Sequence, residues 1–267
     1  MAASPPPKLE LPPKLELRGV EKRFDGRTVL AGVDIAVEAG RSLVIIGGSG
    51  QGKSVTIKIA IGLMKPDAGK ILYDGEDMTG LPLQGRYALA KRYGFLFQGA
   101  ALFDSLQIWH NVAFRLLNAD KVGHKEARER AVEALGRVGL APSVADQYPG
   151  ELSGGMQKRV GLARAVIASP EVIFFDEPTT GLDPINADVI NNLIVEQVKR
   201  LGCTAVSITH DMASARKIGD EIAMLHQGRI VWRGPAADID RSGNPYVEQF
   251  VHGRAEGPIG AHGNETP

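Results

Sequence analysis

A compact apolar run, Ser42-Leu43-Val44-Ile45-Ile46, leads without polar alternation into Gly47-Gly48-Ser49-Gly50-Gln51-Gly52-Lys53-Ser54. From Val55 to Leu63 the apolar residues Ile57, Ile59, Ala60 and Leu63 then take helical spacing. Gly, four residues, Gly-Lys-Ser, set between a strand and a helix, is the P-loop pattern. The glycines let backbone amides wrap an anion, and the helix N-terminus adds its positive dipole. Lys53 reaches the β and γ phosphates of a nucleotide, and the Ser54 hydroxyl is a ligand for Mg²⁺. A loop of this kind needs a parallel strand on one side and a crossover helix on the other, so it commits the chain to an α/β core.

The remaining pattern agrees. Val172 to Phe175 and Ala205 to Ile208 are continuous apolar strands, and their lack of alternation predicts cover on both faces. Leu15 to Val37 and Ile71-Leu72-Tyr73-Asp74-Gly75 read as an antiparallel patch. From about Leu102 to Leu140 the pattern is helical, with an apolar stripe of Ala127, Ala131, Val132, Leu135 and Val138. A helix is expected from Ser153 through Ala168, stopped by Pro170, and a hairpin from Glu221 to Trp232 turning at Gln227-Gly228.

With 267 residues, 43% of them hydrophobic, the chain can bury one large domain, with or without a small subdomain. Lys plus Arg and Asp plus Glu balance at 31 each, which argues against nucleic acid as a partner. The lone Cys203 excludes a disulfide framework. No run of 18 apolar residues occurs and the N-terminus is proline-rich, so the chain is expected neither to be secreted nor to span a membrane itself. Both ends, Met1 to Pro13 and Gly257 to Pro267, are expected to be frayed.

Val172-Ile173-Phe174-Phe175-Asp176-Glu177 places two carboxylates at the end of a buried strand, where open α/β sheets gather ligands. Asp176 is positioned to hold Mg²⁺ through water, and Glu177 to polarise an attacking water. Taken alone, such a pair also suits a surface turn. Ser153-Gly154-Gly155-Met156 opens a helix, which in isolation suits either a helix cap or a second anion-binding amide cluster.

Together, Leu152-Ser153-Gly154-Gly155-Met156-Gln157 with Arg159, Ala163 and Arg164 resembles the signature sequence of ABC-type ATPases. The resemblance spans roughly Leu15 to Pro235. It implies a P-loop NTPase nucleotide-binding domain with a RecA-like parallel core, an antiparallel β subdomain and a helical subdomain at about 99–168, within an ATPase domain at 15–240. A proline-rich segment (1–14) and a C-terminal extension (241–267) flank that domain. It further implies that Phe24 stacks on adenine, where the competing reading is a core aromatic. Gln98 is the glutamine that reaches Mg²⁺ and senses a permease; Asp183, in Gly181-Leu182-Asp183, belongs to the loop that crosses to the other subunit. His210 contacts the γ-phosphate. ATP and Mg²⁺ are the implied cofactors. Two copies would face each other head to tail, each ATP lying between one P-loop and the opposite Ser153 to Met156. The remaining histidines, His110, His124, His226, His252 and His262, are expected in surface or packing roles.

Several segments are similar to the ATPases of Mla-type phospholipid transporters: Gln98 to Leu106 followed by Asn111-Val112-Ala113-Phe114, Met156 in the signature, and Asn244-Pro245 with Gln249-Phe250-Val251 and Gly253 to Pro258. Trp109 and Gln51 depart from the pattern. This resemblance implies phospholipid movement between outer and inner membranes. Its implied partners are a homodimeric copy, an integral membrane permease dimer, a small STAS-like regulatory subunit and a periplasmic MCE-type lipid-binding protein. It places the chain on the cytoplasmic face of the inner membrane and assigns Tyr246 to Pro258 a part in holding two ATPases together. The alternatives are an importer ATPase for amino acids or other polar solutes, a non-transport ABC ATPase acting on DNA or ribosomes, and a P-loop kinase.

Overall fold

A computed structural model describes residues 11–260. The chain begins with β1 (Leu15–Phe24), β2 (Arg27–Val37) and β3 (Ser42–Ile46), followed by α1 (Lys53–Ala60). Next come β4 (Ala68–Tyr73), β5 (Glu76–Asp77), α2 (Leu83–Ala90) and β6 (Tyr93–Leu96). The helices α3 (Ile108–Asn118), α4 (His124–Arg137) and α5 (Gly154–Val166) form one block. After it the chain alternates through β7 (Val172–Asp176), α6 (Pro184–Leu201), β8 (Thr204–Ile208) and α7 (Met212–Ile218). It closes with β9 (Glu221–His226), β10 (Arg229–Pro235) and α8 (Pro245–His252).

Two sheets result. The smaller is antiparallel, in the order β2-β1-β4-β5. The larger runs β10-β9-β3-β8-β7-β6 and is parallel except for β10, which returns antiparallel to β9. Period-two alternation divides the central strands between two cores. Leu43, Ile45, Val172, Phe174 and Val206 face the antiparallel sheet, whereas Val44, Ile46, Ile173, Phe175 and Ala205 face the helices. Each face is covered, which is why these strands read as largely apolar runs, with Ser42, Thr204 and Ser207 as buried polar exceptions.

The helical stretch from Leu102 to Leu140 holds two helices, α3 and α4. Lys121 takes a left-handed φ of 57°, and the Val122 amide bonds back to the Leu116 carbonyl, which reverses the chain before Gly123 opens α4. Residues 102–107 are a loop gathered around the fully buried Asn111, whose side chain accepts from Phe103 N (2.7 Å) and donates to Leu106 O (3.0 Å). Helix α1 stops at Ala60, ahead of the expected end, and leaves Leu63 exposed. Fraying of the C-terminal segment is corrected where it is described. Ile259 N donates to Gln249 Oε1 (2.7 Å) and the Gln249 amide donates to Ile259 O (2.9 Å), so 257–259 fold back on α8. Residues 1–10 and 261–267, with His262, lie outside the described residues. Within the C-terminal segment Tyr246, Val247, Phe250 and Val251 pack against the core of their own chain.

A four-residue ionic knot joins the two sheets. Arg92, just before β6, grips Glu171, just before β7, through Nε (2.8 Å) and Nη2 (2.7 Å), and also reaches Asp74. Lys14 bridges the same two carboxylates from the start of β1. This bidentate contact holds the Glu171 carboxyl at about 2, well below its ordinary 4.5. A depressed carboxylate stabilises the fold above its unfolded value and ceases to as pH falls. Stability should therefore decline between about pH 4.5 and 2, by about 1 kcal/mol from this residue because the side chain is 44% exposed. Denaturant melts at stepped acid pH should show Glu171→Gln less stable at neutral pH and less acid-dependent; parallel curves for the two proteins would refute the linkage.

Candidate functional site

Every parallel strand ends on the same side, and the loops after β3, β6, β7 and β8 meet there around a cavity of about 670 Å³. Gly47 leaves β3 at φ 149°, and a Cβ at that position would stand 2.3 Å from the Leu225 carbonyl oxygen on β9. At Gly52, φ 101°, a Cβ would stand 2.7 Å from Leu30 Cδ2 and 3.0 Å from the Val29 carbonyl oxygen. Only glycine fits either place. Gly52 caps α1 without a side chain, so the first amides of that helix keep their donors for a ligand. Gly48, Ser49, Gly50, Gly52, Lys53 and Ser54 all line the cavity.

Lys53 is buried to 8% exposure and donates from Nζ to the carbonyls of Gly47 (2.7 Å) and Gly48 (2.9 Å). Burial lowers its pKa, opposed by the nearby Glu177 and Asp176. Across the cavity, Glu177 follows β7 in a left-handed conformation (φ 48°) that is unusual for a side chain of its size, and its N–H is fixed to Ile208 O on β8. Its Oε2 accepts from Thr180 Oγ1 (3.1 Å) and sits 2.9 Å from His210 Nδ1. Glu177, His210 and Gln98 line the cavity together.

Asp176 lies just behind them. Burial raises its pKa, reinforced by Glu177, and its Oδ1 is buried without a hydrogen-bond partner. A buried carboxylate oxygen, with the Ser54 hydroxyl and the Gln98 amide of the cavity lining, is the kind of oxygen donor set taken by a hard divalent cation that keeps its waters. Ser54, Asp176 and Gln98 therefore fit Mg²⁺, which with its waters would satisfy the orphaned oxygen.

Several expected residues lie elsewhere. Gln51 does not line the cavity; its side chain accepts the Gln227 N–H (2.6 Å) and so ties the loop to the β9–β10 turn. Phe24 is also outside the lining, 40% exposed at the β1–β2 turn with the Lys22 ammonium 5.5 Å from its ring. Ser153 caps α5, its hydroxyl accepting Met156 N (3.3 Å), and none of Ser153, Gly154, Gly155 or Met156 reaches the cavity. Asp183 caps α6 through Ile185 N and Asn186 N, and the Asn186 amide stands beside Gly155. The chain thus carries two separate surfaces, the phosphate cavity and the Ser153–Asp183 patch. Trp109 is accommodated by stacking on His110 and by donating Nε1–H to Gln107.

Two residues emerge only in three dimensions. Lys158, 6% exposed on α5, donates to the Gln98 carbonyl and to the Glu177 carbonyl (3.4 Å), and burial lowers its pKa. A lysine sharing an apolar helix face with Leu162 and Ala165 is the signal that could have found it. Phe250 of α8 lines the cavity as well, and nothing in its local sequence points there.

The sequence profile of the family described as ABC transporter matches residues 30–180. The probable ribonucleotide transport ATP-binding protein mkl of Mycobacterium leprae (strain TN) is 38% identical over 246 residues, covering 92% of this chain and 71% of that protein. The methionine import ATP-binding protein MetN of Caulobacter vibrioides is 40% identical over 237 residues, 88% of this chain and 70% of its own length. The intermembrane phospholipid transport system ATP-binding protein MlaF of Escherichia coli (strain K12) is 35% identical over 245 residues, 92% of this chain and 91% of its own length. Among solved structures, the dimeric post-hydrolysis state of the ATP-binding cassette MJ0796 bound to ADP and Pi superposes with a TM-score of 0.76 at 30% identity, covering 83% of this chain and 98% of that one. A glycine loop that only glycine can thread, a buried lysine facing two carboxylates, and these matches lead to one assignment: the chain belongs to the ABC transporter ATP-binding family and is an ATPase.

Proposed function

We propose that this chain energises phospholipid transport between two membranes, as the ATPase of an Mla-type system. ABC cassettes work as dimers beneath membrane permeases. The observation that carries the lipid reading is the reach of the match to MlaF, 92% of one chain and 91% of the other, which takes in nearly the whole of each protein. MetN, although slightly more identical, leaves 30% of its own length unmatched, and its identity is what supports import of amino acids as the second reading. No helix among the described residues is long and apolar enough to cross a membrane, so contact with a bilayer is assigned to a permease at the cytoplasmic face of the inner membrane. Exposed Phe103 and Phe114, with rings 4.6 Å apart, give such a permease an apolar contact shortly after Gln98 in the chain. A STAS-like subunit and a periplasmic MCE-type protein complete the proposed assembly.

In the proposed reaction the loop amides and Lys53 hold the triphosphate. Lys53 exchanges the Gly47 and Gly48 carbonyls for phosphate oxygens, a stronger, charge-assisted set of acceptors. Mg²⁺, held by Ser54, Gln98 and Asp176, would spread the phosphate charge. Glu177 orients and polarises the attacking water, and His210, 2.9 Å from Glu177, contacts the γ-phosphate. The Ser153–Met156 amides of a second copy close the site, since in one chain they lie away from the cavity. Hydrolysis removes the shared anion and frees the two copies to separate.

Glu177→Gln should bind MgATP normally but turn it over at least about a hundredfold more slowly, and should accumulate as a dimer on size-exclusion chromatography. Wild-type turnover in that variant would remove Glu177 from the reaction. Lys53→Ala should lose nucleotide affinity or turnover, measured by calorimetry and phosphate release. Lys158→Met should destabilise the fold by about 1–3 kcal/mol in denaturant melts, because the Gln98 and Glu177 carbonyls lose their buried donor. Its turnover, measured where the variant is folded, should fall roughly tenfold, as Gln98 and Glu177 lose their common tether. The lipid assignment is tested by reconstituting the complex in vesicles. ATP-dependent movement of a labelled phospholipid is the expected result, and stimulation of ATPase by an amino-acid receptor instead would overturn it.

A further inference from the structure

Helix α8 comes from the far end of the chain, yet its Phe250 shares the cavity wall with Gly50, Lys53, Glu177 and His210. Its position is well fixed. Asn244 caps the helix through Tyr246 N (3.0 Å) and ties it to β10 by donating to Val231 O (2.9 Å). Val247 is fully buried, and the Tyr246 ring lies 4.9 Å from that of His226 at the end of β9. The next residue, Gln227, donates its N–H to Gln51 of the phosphate loop, and Gly228 packs against Val29 and Ala31 of β2. Loop, β9–β10 turn and C-terminal helix are therefore one connected unit.

The chemistry of the wall decides what Phe250 can meet. Phosphates are served by amides, Lys53 and Ser54, and an aromatic face offers them nothing. Val29, Val55 and Phe250 are the apolar side chains of the lining, and a nucleotide has one weakly hydrated, π-bearing part to set against them, its nucleoside. Phe24, the aromatic that the sequence favours for this contact, stands outside the lining. We infer that Phe250 is a further nucleotide-binding residue, its ring packing against the nucleoside part of the bound nucleotide and so coupling the seating of α8 to occupancy of the site. This rests on the reading of the cavity as a nucleotide site.

Calorimetry on the full chain with two magnesium-complexed probes, a non-hydrolysable ATP analogue and inorganic tripolyphosphate, separates the contributions. Phe250→Leu keeps apolar bulk under α8 and removes the ring. It should weaken the ATP analogue about threefold to tenfold and leave tripolyphosphate unchanged, with Phe250→Tyr close to wild type. Unchanged affinity for the analogue, or equal loss for both probes, overturns the inference. Hydrogen exchange on the unmodified protein decides the matter should the leucine variant misfold. Amides of Val247 to Val251 should slow with the ATP analogue and not with tripolyphosphate, and identical protection by the two, or none, is the contrary result. Lys53→Ala is the control for the underlying reading: if wild type binds neither probe, or binds both independently of Lys53, the nucleotide site itself is wrong. Lys53-dependent binding that is indifferent to Phe250 sinks this inference alone.

Discussion

The backbone of Gly47 passes the carbonyl of Leu225 so closely that an added Cβ would lie 2.3 Å from it. That contact forces the loop after β3 to curl away from β9 and over the sheet edge, where its amides converge. It also demands that β9 lie directly beside β3, as the parallel order β9-β3-β8 provides. The same order sets β7 next to β8, so Glu177 can fix its N–H on Ile208 O and turn back toward the loop in a left-handed conformation. The site follows from the strand order, and the strand order is held by two cores that cover both faces of the sheet.

Charge at the site is arranged for an incoming anion. Lys53 and Lys158 stand against Asp176 and Glu177, all four largely buried, and burial penalises the charged forms of Lys53, Lys158 and Asp176. Lys158 spends its ammonium on the carbonyls of Gln98 and Glu177. Lys53 holds only loop carbonyls, which a phosphate can replace. One lysine is thus structural and the other free to change partners. Asp176 retains a buried oxygen with no protein donor, a place where a cation with its waters would fit.

The parts of this site that depend on neighbours in sequence were legible. A strand, glycines at fixed offsets and a helix are local features, as are the apolar runs of β3, β7 and β8 and the Asp176-Glu177 pair. The unread parts depend on distance. Gln51 meets Gln227 across 176 residues, and Phe250 reaches the cavity only because α8 is drawn back along β9 and β10. The partners of Lys158 are backbone carbonyls, which leave no side-chain trace in the sequence. Within the helical stretch from Leu102 to Leu140, left-handed Lys121 makes a reversal that hydrophobic periodicity does not register. The tail at 257–259 looked frayed because Gly and Pro dominate its composition, yet one buried glutamine, Gln249, supplies its hydrogen bonds.

A cargo cannot be selected at this cavity, whose lining is amides, charged groups and a little apolar wall sized for a nucleotide. The Gln98 loop links this cavity to the exterior. Its carbonyl is bonded to Lys158 on the helix that Ser153 caps, its side chain lines the cavity, and the loop that follows carries Phe103 and Phe114 to the exterior around the buried Asn111. The backbone of that loop is bonded to the Asn111 side chain, which holds it as a unit. Lys158 in turn ties the carbonyl of Gln98 to that of Glu177 from the helix that Ser153 caps, so one buried lysine joins the three elements.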